Sequence, residues 1–138
     1  MSNFKEIVTK AVIAKGKKTF VSNYTVNPEI EPTTILGCWI INHTFKGEKV
    51  DDAIKITGTY DVNIWYSCLN DTKTEVVKQT NTYTEELNLP VTNNDTNINE
   101  EVIVRSLSQP NCIKAEIKGG KINYVVEQEL GVELVGDT

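Results

Sequence analysis

One histidine, three cysteines and three adjacent carboxylate pairs are the side chains in this sequence best equipped for chemistry. His43 stands alone, so a metal site made from several imidazoles is excluded, and a nucleophilic triad would have to be built around this one residue. No G-x-S-x-G, glycine-rich phosphate loop or H-E-x-x-H pattern accompanies it. Its place at the end of the apolar run ILGCWIINH suits a packing or surface residue better than a general base. Asp51-Asp52, Glu85-Glu86 and Glu100-Glu101 could set an acid against a base across a sheet, as glycosidases do. Neighbouring charges at strand ends and in loops are ordinarily solvated, and that reading is favoured. The residues assign no catalytic role, no cofactor and no metal, and the chain is expected not to be an enzyme.

Cys38, Cys68 and Cys112 form no C-x-x-C pair and are odd in number, so a closed intrachain disulfide framework is not indicated. Buried reduced thiols are the default, and cross-links between subunits in an oxidising environment are the sharper alternative. Trp39 and Trp65 could serve as glycan-stacking platforms, but both sit in apolar runs, and packing in the core is the favoured expectation. Residues 1–18 carry five lysines against Glu6, a balance of +4 that leaves −9 for the rest of a chain whose net charge is −5. With one arginine in the whole chain and no aromatic-interleaved basic surface, a nucleic-acid arm is disfavoured. A solvated lysine face, or a basic head that associates with the acidic body of a second copy, fits better.

The elements that must position these residues read as strands. Val, Ile, Thr, Tyr and Asn are abundant and alanine is scarce across the 138 residues, a bias toward sheets and turns. Both rows of the alternating run 35–42 are largely apolar, which predicts a central strand covered on both faces. In 60–67, Tyr60, Val62, Ile64 and Tyr66 share one face and Asp61, Asn63, Trp65 and Ser67 the other. The intervening HTFKGEKVDDA suits an antiparallel connection. Asn70-Asp71 predicts a hairpin returning through 73–87, and LPVTNNDTNINEE predicts an exposed loop. Gly16 with its lysines and SQPN predict strand breaks, and CIKAEI places Ile113, Ala115 and Ile117 on one face. Gly119-Gly120 predicts a second hairpin, and the last run sets Ile122 to Leu134 on one side, with a bulge expected at Gly131. The sum is one all-β domain over 1–138: an antiparallel β-sandwich of about 7–8 strands, with a β-barrel as the alternative. No stretch approaches the roughly 20 apolar residues of a spanning helix, so no direct membrane insertion is expected.

Taken in order, the IVTKAV opening at Ile7, ILGCWIINH, YDVNIWYS, TKTEVV, EEVIVRSLSQPNC and VEQELGVELVGDT together resemble the spore coat protein E family (CotE) of endospore-forming bacteria. The likeness covers nearly the whole chain. It implies a non-enzymatic morphogenetic protein, made in the mother-cell cytoplasm, that assembles in the spore coat, self-associates, and recruits other coat proteins onto an underlying basement layer. It implies no catalytic residues. The family's N-terminal multimerisation segment matches Ile7 to Lys18, which makes Ile7, Lys10, Lys15, Lys17 and Lys18 candidates for self-association by strand addition. Glu127, Glu129 and Glu133 are the acidic candidates toward which those lysines would be steered.

Overall fold

A computed structural model describes residues 10–51, 53–88 and 101–137. They form six strands, β1 (Lys10–Val26), β2 (Pro32–Val50), β3 (Ala53–Cys68), β4 (Lys73–Asn88), β5 (Glu101–Lys118) and β6 (Lys121–Asp137). Two antiparallel sheets result, ordered β1-β6-β5 and β2-β3-β4. The described strands thus start in one sheet, build the second as a meander, and return to finish the first. The all-β antiparallel class is as expected, but the described residues hold six strands rather than 7–8, and no ladder closes them into a barrel.

The count falls because two expected breaks are carried as irregularities inside long strands. Gly16 stays in register opposite Val132. Pro110 lies within β5, where register shifts between Ser106 and Ser108 and between Ser108 and Asn111 let the ladder pass an imino acid that cannot donate. The bulge expected at Gly131 is absent: this glycine pairs in register with Lys17 and Arg105, and the shift in β1 lies at Val12–Ala14 instead. A Cβ on Gly131 would come within 2.8 Å of Leu107 Cδ1, so the missing side chain makes room for leucine. The expected loop at 89–101 lies outside the described residues except for Glu101.

Both hairpins form where the sequence places them. Leu69, Asn70 and Asp71 take left-handed φ of 53°, 57° and 66°, and the Thr72 amide closes on the Cys68 carbonyl at 3.2 Å. Gly119 and Gly120, at φ 58° and 78°, turn β5 into β6. The core lies between the central strands. Ile54, Ile56, Tyr60, Val62, Ile64 and Tyr66 of β3 face Ile122, Tyr124, Val126, Leu130, Val132 and Leu134 of β6, all buried. The run 35–42 belongs to β2, an edge strand rather than a central one. Its doubly apolar appearance has two sources, an inner row packed on the core and an outer row of half-exposed Trp39 and Ile41.

Although no ladder joins the sheets, the edges β2 and β5 meet along one seam. A Cβ on Gly47 would lie 2.3 Å from Val104 Cγ2, and His43 Nδ1 lies 3.4 Å from Gln109 Oε1. Cys38 on β2 and Cys112 on β5 also come together on this seam, close enough for each thiol to act on the other, while the Cys112 thiol donates to the Lys114 carbonyl at 3.5 Å. As the first partner descends along β2 the second climbs along β5, so the two edges run antiparallel side by side. At the opposite edge β1 lies near β4, with the Lys18 charge acting on Glu85.

Candidate functional site

Bulges in β2 and β5 decide which polar side chains enter the sandwich. The shift between Ile41 and Thr44 leaves Asn42 at φ 56°, and His43 turns into the aromatic interior. His43 Nε2 shares a 2.6 Å hydrogen bond with the Tyr83 hydroxyl, and the imidazole ring lies 4.9 Å from that of Phe45. Around it Tyr24 and Tyr60 share a 2.6 Å hydroxyl contact, and Asn81 Nδ2 donates to the Tyr124 hydroxyl at 2.7 Å. Tyr124 in turn donates to Gln79 Oε1. Tyr83 packs over Gly58, where a Cβ would come within 2.3 Å of the ring. This network joins both sheets through hydroxyl and amide groups that would be costly to bury unpaired.

Burial sets the protonation of the network. It lowers the His43 pKa, against a smaller opposing effect of the Gln109 contact, so the imidazole stays neutral. It pushes Tyr83 and Tyr124 up to about 12, and Tyr60 further still with help from Tyr24. Phenols held un-ionised, with one neutral imidazole packed among them, tie strands together; among the described residues the side-chain hydrogen bonds of His43 go to Tyr83 and Gln109, neither of them a carboxylate. Among the described residues the paired carboxylates do not converge either. Glu85 and Glu86 point to opposite faces of β4, Asp51 sits exposed in the β2–β3 turn at φ 54°, and Asp52 and Glu100 lie outside the described residues. Asp61 is occupied on the outer face, accepting from Asn42 Nδ2 at 2.9 Å and Thr80 Oγ1 at 2.7 Å, and these bonds hold its carboxyl below the usual range.

The tryptophans overturn the core-packing expectation. Trp39 and Trp65 are 45% and 40% exposed and stand on the outer face of the β2-β3-β4 sheet. Trp65 lies between Gly37 on β2 and Val76 on β4, and the Trp39 ring covers Gly37, where a Cβ would come within 2.6 Å. An apolar shelf therefore crosses all three strands and reaches the β4 edge at Val76, which is 48% exposed. Period-two alternation in 60–67 had already put Trp65 opposite the Tyr60–Tyr66 row, and that was the signal for its exposure.

Of the expected self-association residues, Ile7 lies outside the described residues and Lys10 is placed by its backbone, opposite Asp137. Lys15 stands opposite Glu133 within the same chain, and Lys17 opposite Gly131. Glu133 also pairs with Arg105 at 4.0 Å. Lys18 lies over the Phe20 ring, Glu129 accepts from Thr19 Oγ1 at 3.5 Å, and Glu127 pairs in register with Val21. Among the described residues, Lys15 and Glu133 are the candidates that the β1–β6 register sets opposite each other. The cysteines divide. Cys68 is completely buried, its thiol directed to the Lys73 carbonyl at 3.6 Å, whereas Cys38 and Cys112 are half-buried and touch each other across the seam. Sequence alternation put Ile113 with Ala115 and Ile117, but the shift between Cys112 and Lys114 turns Cys112 inward and leaves Ile113 50% exposed.

Fold and site together define a β-sandwich domain whose buried polar groups fasten sheet to sheet, and whose outer face carries an apolar shelf. A family model described as outer spore coat protein E (CotE) matches residues 3–138, and the chain belongs to that family. It is accordingly an outer spore coat protein. No curated protein and no solved structure matches the chain.

Proposed function

We propose that this protein is a non-enzymatic building block of the spore coat, one that self-associates and offers a scaffold on which other coat proteins assemble. The observation that supports this reading is the shelf of Trp39, Trp65 and Val76 running out to the edge of β4. β4 is a 16-residue strand at the edge of its sheet, and among the described residues its outer ladder side is unpaired. A strand added there would gain main-chain hydrogen bonds and could lay a side chain beside Val76, extending the shelf into the next molecule. β1 offers a second route. Exchanged between two copies, it would remake the β1–β6 ladder and its Lys15–Glu133 juxtaposition between chains, at little cost in new contacts.

Size-exclusion chromatography with light scattering across a concentration series, followed by negative-stain electron microscopy, tests the proposal. Concentration-dependent assemblies that Val76→Lys weakens are expected. A strict monomer at high micromolar concentration would overturn it. Weakening by salt would point to the lysines of β1, because exposed charges are screened over about 8 Å at physiological ionic strength.

The exposure of both tryptophans on one face favours a second reading, a glycan-stacking surface. Titration of tryptophan emission with oligosaccharides of the spore surface separates the two. A saturable shift lost in Trp39→Ala and Trp65→Ala belongs to the glycan reading alone.

A further inference from the structure

The seam between β2 and β5 brings together two thiols that lie on different sheets and are far apart in sequence. Cys38 is opposite Ile64 on β2, Cys112 is opposite Val126 on β5, and both pack against the core at half burial. Each owes its inward position to a bulge, the shift between Ile35 and Gly37 in β2 and that between Cys112 and Lys114 in β5. The edges are held side by side at two further places, Gly47 against Val104 and His43 against Gln109, so the approach of the thiols belongs to a continuous strand alignment. Cys68 takes no part, being buried beside the β3–β4 turn.

We propose that Cys38 and Cys112 form an intrachain disulfide when the protein meets a hydroperoxide, a reversible clamp that fastens the two sheets along the β2–β5 seam. The nearness of the two thiols sets the order of events. The neighbouring Cys38 lowers the pKa of Cys112, while Cys112 and burial raise that of Cys38, so Cys112 is the sulfur that reaches the thiolate form first. The Cys112 thiolate attacks one peroxide oxygen, the O–O bond breaks, and the departing hydroxide or alkoxide takes up a proton, leaving a sulfenic acid on Cys112. With that negative charge gone, Cys38 loses its proton more readily. Its sulfur attacks the sulfenic sulfur, the S–O bond breaks, and hydroxide leaves as water with the proton from Cys38. Two thiols surrender two electrons, and the hydroperoxide is reduced to water and an alcohol, or to two waters. The link closes a loop of about 74 residues, long enough for a large restriction of the unfolded chain.

Peroxide treatment of the full-length protein, with peptide mapping of the monomer band from a non-reducing gel, tests this directly. The expected product is a monomer that has lost two hydrogens, titrates with one free thiol rather than three, and yields a reducible peptide joining Cys38 to Cys112. Its Tm should rise by on the order of 10 °C and return on reduction. Cys68→Ser should give the same linked peptide. Cys38→Ser should instead leave a sulfenic acid on Cys112 that dimedone traps. A monomer that keeps all three thiols while free cysteine in the same tube is oxidised would overturn the proposal. So would cross-links found only between chains, or over-oxidation of Cys112 without a link to Cys38. The wild-type peptide map decides the matter even if a variant fails to fold.

Discussion

Gly47 lies on the β2–β5 seam, and a single methyl group there measures how closely the sheets are held. In Gly47→Ala the new Cβ would meet Val104 Cγ2 at 2.3 Å, Val102 Cγ1 at 3.3 Å and Ile54 Cγ2 at 3.6 Å. Gly47 is not among the residues of positive φ, so alanine suffers no backbone strain and gains about 0.4–1 kcal/mol by restricting the unfolded chain. Against this stands overpacking, typically about 1–3 kcal/mol, and Val104 has little room to give because a β-branched side chain is stiff at χ1. The net expectation is a loss of about 1–2 kcal/mol, or roughly 3–10 °C in Tm. Urea unfolding should show a lower midpoint at unchanged slope, since neither end state changes its exposed surface much. The Gly47→Ala/Val104→Ala double variant should recover at least about 1 kcal/mol relative to additivity, because removing the valine methyls removes the collision. A Gly47→Ala protein as stable as wild type, or a strictly additive cycle, would refute the close approach of β2 and β5.

Alkaline titration tests the buried tyrosines. Because Tyr83 and Tyr124 are pushed up to about 12 by burial, their stabilising contribution is whole below the ordinary phenol pKa of about 10 and is lost as pH rises through 12. Phenolate absorbance should therefore rise in step with cooperative unfolding; five tyrosines ionising together near pH 10 in a folded protein would contradict it. His43 has the opposite sign. Its depressed pKa gives stability that is present above about pH 6.5 and lost as pH falls, and His43→Gln should remove that part of the acid limb in a pH series of urea midpoints. Adjacent residues 64 and 65 should behave oppositely. Ile64→Ala, at a site 1% exposed, should cost about 2–5 kcal/mol, and Trp65→Ala less than half of that, while iodide should quench the emission of both tryptophans.

What the sequence determined by itself was the strand character, both hairpins, the inner rows of β3 and β6, and the family. These are local properties: β-branched composition, period-two alternation and turn residues that accept left-handed φ act within a few residues of one another. The family was legible because its motifs run in order along nearly the whole chain. Tertiary structure alone decided that β2 is an edge, that Gly16 and Pro110 lie inside strands, and that His43 and Cys112 face inward. An extra residue in one strand shifts every later side chain to the other face, and whether a bulge forms depends on the partner strand, which alternation cannot see. The meeting of Cys38 with Cys112, and of Tyr24 with Tyr60, depends on how two sheets stack, a relation between residues 74 and 36 positions apart. The tryptophans show the limit from the other side. Apolar neighbours made them look buried, but a three-stranded sheet has only one face against the core, and the other must carry whatever side chains the alternation leaves there.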